Sequence, residues 1–182
     1  MLVTQRKPKM LHADQLLNLA LRALGGRAHS TGELRQKLLR RAEGPEDVEA
    51  VLDNLKKAGY LDDQRFAEHY AAARLENQGL GKMRVLRDLR QRRVAGKLAE
   101  QVTERTYQDT NEPELIKAFL ERKYRGKRLA IFLADEKNLA GAFRRLRYAG
   151  FSSGASIKAL KQFSKQAEAL DGLEIEEEGD PE

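Results

Sequence analysis

Apolar residues recur at intervals of three and four along most of this chain, which is the spacing that places them on one face of an α-helix. Glycine, proline and helix-capping residues interrupt the pattern at short intervals, so it predicts a series of short helices. The predicted helices cover about residues 14–24, 31–41, 45–58, 62–77, 82–92, 95–107, 112–122, 136–148 and 152–163. We therefore expect an all-α fold.

The segment from Gly59 to Ala67 has the features of a junction between two helices. Gly59 follows a run of helix formers and can adopt the left-handed conformation that ends a helix. Asp62 is expected to cap the next helix, with Leu61 and Phe66 at the spacing of a hydrophobic staple. Asp62 and Asp63 could alternatively form a catalytic or metal-binding carboxylate pair, but no further ligand-type residue lies nearby. The sequence favours capping.

The helical pattern repeats along the chain. Leu38, Leu89 and Leu146 occupy the same place near the end of a second helix, and each is preceded four residues earlier by another apolar residue. Such self-similarity predicts three tandem three-helix repeats, although any amphipathic three-helix run shows some internal similarity. The predicted parts are a flexible basic arm (1–12), three repeats (13–60, 61–109 and 110–165) and an acidic disordered tail (166–182).

The charge is unevenly distributed. The chain has 34 basic and 28 acidic residues, and eight of those acidic residues but no basic one lie in residues 166–182. Residues 1–165 therefore hold 34 basic against 20 acidic residues, a net charge of +14, which predicts a polyanion or an acidic protein surface as partner. The tail could fold back and compete with nucleic acid, or it could be a solubilising end.

Basic residues cluster on the second helix of each repeat and in the loop before the last of these helices. They predict a strip of positive potential suited to phosphates or to an acidic groove, and the alternative is an ordinary solvated face. The candidate partner- or DNA-binding residues are Arg35, Lys37, Arg40, Lys82, Arg84, Arg87, Arg90, Arg125, Lys127, Arg144, Arg145 and Arg147.

Motifs for enzymatic chemistry are not found. The chain has no cysteine, and its three histidines (His12, His29 and His69) lack partners at metal-ligand spacing, so His29 is expected to make a local hydrogen bond. The segment 79–84 lacks the spacing of a phosphate-binding P-loop. We expect a non-enzyme without a cofactor or metal.

The sequence also bears on location. The basic N-terminal residues are followed by no apolar stretch of the kind found in a secretion signal, and no apolar run is long enough to span a membrane. The absence of cysteine fits a reducing compartment. We expect a cytoplasmic, monomeric protein with no membrane partner.

Several of these motifs, in this order and spacing, resemble the RecX family of regulatory proteins. The resemblance covers about residues 14–165 and leaves out the arm and the tail. The segments that carry it are Arg27-Ala28-His29-Ser30, Glu33 to Leu38, Gly59-Tyr60-Leu61-Asp62-Asp63 with Phe66-Ala67, Gly81 to Leu89, and Gly150-Phe151.

The resemblance implies an elongated, curved array of three-helix repeats. It also implies binding to the recombinase RecA and to its filament on single-stranded DNA, with inhibition of ATPase and strand-exchange activities. An autonomous helical DNA-binding protein, contacting single- or double-stranded DNA, is the alternative. The sequence departs from the family pattern at Arg93, where a glycine usually follows the second helix, so this turn is expected to be built differently or to be strained.

Overall fold

The structure is a computed structural model, and it describes residues 10–164 together with Ala167 and Leu170. The predicted basic arm therefore lies outside the described residues, apart from residues 10–12. The predicted acidic tail also lies outside them, apart from residues 167 and 170. The interpretations of these two segments remain predictions.

The described residues form ten helices and no β-strand, which confirms the all-α class for this part of the chain. The short helix Leu129–Phe132 is the one element in this part of the chain that the sequence pattern did not predict. None of the helices in this part is long and apolar enough to cross a membrane. The helices are α1 (Ala13–Gly26), α2 (Thr31–Leu39), α3 (Pro45–Lys57), α4 (Asp63–Gln78), α5 (Lys82–Gln91), α6 (Gly96–Tyr107), α7 (Glu112–Lys123), α8 (Leu129–Phe132), α9 (Glu136–Tyr148) and α10 (Ser153–Lys161).

The chain divides into two compact units. Of the described residues, unit 1 comprises 10–69 and 89–102, and unit 2 comprises 70–88 and 103–164 with residues 167 and 170. The second predicted repeat thus contributes residues to both units. The division into three repeats remains a prediction.

In unit 1, helices α1, α2 and α3 pack against one another around an aliphatic core. The Ser30 hydroxyl accepts a hydrogen bond from the Glu33 amide (3.0 Å), and the Ser30 amide donates to the Glu33 carboxylate (3.3 Å). This capping box fixes the start of α2, and Pro45 stands at the start of α3. The buried core residues are Leu16, Ala20, Ala23, Leu34, Leu38, Ala42, Val48, Val51, Leu52, Leu55 and Leu61.

In unit 2, α10 packs against α7 and α9 around a core that contains three aromatic residues, Tyr124, Phe143 and Phe151. Phe151 meets the partly buried Phe119 edge to face, with ring centroids 5.5 Å apart. Ala167 and Leu170 are buried in the same core. The core of unit 2 therefore extends past the end of α10.

Two helices bury only some of their apolar residues. On α4, Ala67 and Ala71 are fully buried, whereas Ala73 is exposed. On α7, Ile116 and Leu120 are buried, whereas Ala118 is exposed. Both helices carry more than one row of apolar residues, and the periodicity alone does not show which row faces the core.

Candidate functional site

The junction from Gly59 to Ala67 has the conformation that the sequence predicts. Gly59 has a left-handed φ of 77°, and the Asp62 carboxylate accepts a hydrogen bond from the Arg65 amide (2.9 Å), which confirms Asp62 as the cap of α4. The Asp63 carboxylate accepts a hydrogen bond from the Thr31 amide (2.7 Å) in the first turn of α2. Both aspartates therefore bind backbone donors.

A second contact joins the turn after α5 to the start of α2. The Ser30 hydroxyl donates a hydrogen bond to the Arg92 carbonyl, and the Arg92 guanidinium contacts the Glu33 carboxylate at 3.3 Å. Gly32 leaves room for Arg93, since a Cβ atom on Gly32 would lie 2.5 Å from the Arg93 Cβ atom. The turn after α5 is thus packed directly on the backbone of α2.

Arg93 has a φ of 58° and is the non-glycine residue with a positive φ in the described part of the chain. The expectation of an unusual turn at this position is therefore confirmed. A non-glycine residue in this conformation costs about 1 kcal/mol or more. The backbone of the turn would be more stable with glycine.

Unit 2 contains the same kind of joint. The amides of Gly81 and Met83 at the start of α5 donate hydrogen bonds to the carbonyls of Ala149 and Gly150, at 2.8 and 3.1 Å. A Cβ atom on Gly81 would lie 2.4 Å from the backbone of Gly150. Gly150 has a φ of 90° and follows Leu146 by four residues, as Arg93 follows Leu89. The two joints therefore differ at the left-handed position, which is arginine in unit 1 and glycine in unit 2.

A polar cleft of about 590 Å³ lies in unit 1, and we call it the α1–α2 cleft. It is bounded by the C-terminal end of α1, the loop to α2, the outer face of α2, and the turn after α5. The residues that line it are Arg22, Ala23, Gly26, Arg27, His29, Glu33, Gln36, Lys37, Arg40, Gln91 and Arg93.

The α1–α2 cleft is strongly basic. Five of its lining residues are cationic and exposed, and Glu33 is the one acidic lining residue. Burial alone would raise the pKa of Glu33, but hydrogen bonds from Arg27 and the Ser30 amide, with the charges of Arg27 and Arg92, lower it. Glu33 therefore stays ionised and is held by these groups. The cationic residues are Arg22, Arg27, Lys37, Arg40 and Arg93.

The buried His29 forms part of the floor of the cleft. Its Nδ1 atom lies 2.9 Å from the Arg27 carbonyl, so this nitrogen carries the proton and donates to that carbonyl. The expected local hydrogen bond is therefore present. Burial lowers the pKa of His29, and the nearby charges of Arg27 and Lys37 act in the same direction. Within the described residues, no group of three or more histidine, aspartate or glutamate side chains is placed to hold a metal ion.

In unit 2, Arg84 and Arg87 are half-buried and make contacts within the unit. Arg84 pairs with the buried Asp88 at 2.9 Å, and its guanidinium lies 4.7 Å from the centre of the Tyr148 ring. Arg87 donates to the Tyr148 carbonyl at 3.2 Å and also lies over the Tyr148 ring. These two arginines hold α5 to the end of α9.

The other predicted binding residues have varied surroundings. Arg35 forms a bidentate pair with Glu49 (both distances 2.7 Å), which raises the pKa of Arg35 and lowers that of Glu49. Lys82 pairs with Glu104, and Arg90 pairs with Glu100 at 2.6 Å.

The basic residues of α9 and of the loop before it differ in exposure. Arg145 donates to the Tyr124 hydroxyl at 3.2 Å, and Arg147 donates to the Phe151 carbonyl at 2.7 Å. Lys127 lies over the Phe132 ring, 4.2 Å from its centre. The exposed residues of this set are Arg125, Lys127, Arg144 and Arg145, and Arg147 is half-buried.

The structure brings together a basic group that the sequence did not single out as a set. Lys37 and Arg40 were predicted binding residues, and they share the α1–α2 cleft with Arg22, Arg27 and Arg93. Arg27 and Arg93 lie in connections between helices, so the pattern of charged residues on helix faces does not include them. The departure from the family pattern at Arg93 was the signal that could have identified it.

The fold and these sites define an all-α protein of short helices with basic side chains grouped in each unit. The family models for the first and second three-helix domains of RecX match residues 17–55 and 62–102. The regulatory protein RecX of Trichlorobacter lovleyi is 35% identical over 132 residues, which cover 71% of this chain and 84% of that protein. The chain belongs to the RecX family of regulatory proteins.

Further comparisons agree with this assignment. The regulatory protein RecX of Vibrio parahaemolyticus is 34% identical over 133 residues, which cover 73% of this chain and 81% of that protein. The crystal structure of RecX from Lactobacillus salivarius superposes with a TM-score of 0.61 at 15% identity and covers 83% of this chain and 96% of that chain. This similarity supports the fold.

Proposed function

We propose that the protein binds the recombinase RecA and its filament on single-stranded DNA and inhibits the ATPase and strand-exchange activities of the filament. The observation that carries this proposal is family membership, because the aligned region spans 84% of a relative named as a regulatory protein. The net charge of +14 on residues 1–165 supports it, since such a body favours an acidic partner or a nucleoprotein filament. The protein would act by occupation of the filament, without chemistry of its own.

Exposed basic residues are the best candidates for the contact surface. The exposed members of the predicted binding set are Lys37, Arg40, Arg90, Arg125, Lys127, Arg144 and Arg145. Arg84 and Arg87 are less suitable, because their guanidinium groups already hold Asp88 and Tyr148. We propose that the exposed group contributes to filament binding and that Arg84 and Arg87 mainly position α5.

Addition of the protein to preformed RecA filaments tests the proposal. We expect the rate of ATP hydrolysis to fall as the protein is titrated, with a parallel loss of strand exchange. The same titration on bare single-stranded DNA gives the concentration at which DNA alone is saturated. Undiminished hydrolysis at that concentration contradicts the proposed function.

A second candidate is an autonomous DNA-binding protein, and the basic α1–α2 cleft favours it. Binding of this kind needs no RecA and weakens steeply with salt, because each phosphate contact releases counterions. Salt-dependent DNA binding combined with full RecA activity would support this candidate over the regulator.

A further inference from the structure

The most unusual residue of the α1–α2 cleft is Arg93. Its backbone is left-handed, with a φ of 58°, at a position where the matching joint of unit 2 has Gly150. Glycine would adopt this conformation without the cost of a Cβ atom. The conformation of the turn therefore does not explain why this residue is arginine. Residues held in an unfavourable backbone conformation cluster at functional sites, which points to a functional role for the Arg93 side chain.

The side chain of Arg93 is exposed and lines the cleft together with Arg22, Arg27, Lys37 and Arg40. Four of these five cations are arginines, whose planar guanidinium groups can donate two parallel hydrogen bonds to a phosphate. Glu33 offsets one charge, and it is already bound by Arg27 and Arg92. A concave surface with this excess of positive charge attracts a ligand with several negative charges.

The lining favours a nucleic-acid strand over a protein surface. Among the lining residues, all of which belong to the described part of the chain, none is a large aliphatic residue, phenylalanine, tyrosine or tryptophan. A protein interface usually has an apolar core, and this cleft offers none. It also lacks an aromatic platform for stacking bases, which leaves the phosphates as the recognised groups. A flexible single strand can follow a concave cleft more easily than a stiff duplex can.

We propose that the α1–α2 cleft binds the phosphate backbone of single-stranded nucleic acid and that Arg93 contacts a phosphate directly. The contact is independent of base sequence, and it does not depend on the proposed action on RecA. Lys37 and Arg40 contribute further phosphate contacts from α2. The proposal accounts for arginine at a backbone position that favours glycine.

Replacement of Arg93 by glycine separates binding from folding. The Arg93→Gly variant removes the guanidinium and relieves the backbone, so we expect its thermal stability to equal or exceed that of the unchanged protein. Its affinity for a fluorescently labelled oligo(dT), measured by anisotropy with the full chain, should fall about fivefold at an ionic strength of about 0.1 M. The slope of log K against log salt should decrease in magnitude by about 0.7.

Lys57→Ala is the matched control, because Lys57 is an exposed lysine of unit 1 outside the lining of the cleft. It changes the net charge by the same amount and should leave the salt slope unchanged. The double variant Lys37→Ala/Arg40→Ala should lower the magnitude of the slope by about 1.4, twice the effect of one contact. Wild-type affinity and slope in both Arg93→Gly and the double variant overturn the proposal.

A further titration distinguishes a protein ligand from nucleic acid. RecA without DNA is added to the unchanged protein and to Arg93→Gly, each carrying a fluorescent label of its own, and binding is measured by the rise in anisotropy. If Arg93→Gly loses binding to RecA alone but keeps its full affinity for oligo(dT), the cleft recognises a protein surface and the proposal is wrong. Reduced affinity for oligo(dT) with unchanged binding to RecA alone supports it.

Discussion

Single residues connect helices that lie far apart in the sequence of unit 1. The Asp63 carboxylate accepts the Thr31 amide at 2.7 Å, although the two residues are 32 positions apart. This amide belongs to the first turn of α2, where the backbone donors have no partner within the helix. Asp63 therefore stabilises the start of α2 from the start of α4, and its negative charge also favours the positive end of the α2 dipole.

Removal of this carboxylate should destabilise the fold. We expect Asp63→Ala to lower the free energy of unfolding by about 1 to 2 kcal/mol, because the Thr31 amide loses its acceptor. Asp63→Asn keeps an acceptor oxygen and should lose less. Urea denaturation followed by circular dichroism measures both changes.

Asp53→Ala is the control for the loss of a negative charge. Asp53 is exposed on α3, and its Oδ1 atom is 3.9 Å from the Lys56 amine, so its removal should change stability by less than about 0.5 kcal/mol. Equal stability of Asp63→Ala and Asp53→Ala would show that the Asp63 contact contributes nothing to the fold.

Contacts between residues close in sequence could be predicted, and contacts between distant residues could not. Capping by Asp62 depends on an amide three residues away, so the local pattern was enough to predict it. The partner of Asp63 is distant in sequence, and no local rule identifies it. The same limit applies to the hydrogen bond that Arg87 donates to the carbonyl of Tyr148, 61 residues away. The part of Arg87 in partner binding stays a prediction.

Among the helices, each unit contains a joint in which the turn after one helix packs on the start of another helix. In unit 1 the turn after α5 packs on the start of α2, and in unit 2 the turn after α9 packs on the start of α5. In unit 2, carbonyls of the turn after α9 accept the Gly81 and Met83 amides at the start of α5. The turn thereby caps α5, whose first amides have no partner within the helix. The close approach requires glycine at position 81 because a Cβ atom there would meet backbone.

Substitution of Gly81 tests this joint. A Cβ atom at this position would lie 2.4 Å from backbone atoms of Gly150, so Gly81→Ala must push the turn away from α5. We expect a loss of about 1 to 3 kcal/mol in the free energy of unfolding, as found for overpacked sites. Denaturant unfolding of the full chain provides the measurement.

Gly154→Ala serves as the matched substitution in the same unit. No atom lies within 4 Å of a Cβ atom at Gly154, and this residue is in the first turn of α10. Alanine there should leave the stability unchanged or raise it by up to about 1 kcal/mol. If Gly81→Ala is as stable as Gly154→Ala, the tight joint does not contribute as described.

The helices themselves were largely predictable from the sequence. The range Glu136–Tyr148 agrees with α9, and the predicted capping box of α2 is present, because both signals are local. The four-residue helix α8 was missed, since so short a segment shows no periodicity. The α1–α2 cleft could not be predicted as a whole, because its residues come from three separate parts of the chain.

Over the whole molecule, the acidic tail (166–182) and residues 1–165 have net charges of opposite sign. Residues 1–165 have a net charge of +14, and eight acidic residues follow. A tethered segment of opposite charge can compete with a nucleic-acid strand for basic side chains, and this competition weakens as salt screens the charges. We therefore expect the tail to lower the affinity of the protein for single-stranded DNA at low salt.

Deletion of the tail after Leu170 tests this expectation. Ala167 and Leu170 are buried in the core of unit 2, so a deletion that begins earlier would also remove core residues. The variant loses seven acidic residues and should bind oligo(dT) more tightly than the full chain at low salt, with a difference that shrinks as salt is added. Fluorescence anisotropy over a salt series measures both effects.

A full-length variant in which those seven acidic residues become glutamine or asparagine separates charge from chain length. It should bind as tightly as the deletion variant, because competition for basic side chains requires the negative charges and not the chain itself. Unchanged affinity of both variants at low salt would rule out competition by the tail. Tighter binding by the deletion variant alone would instead assign the effect to the volume that the tail occupies.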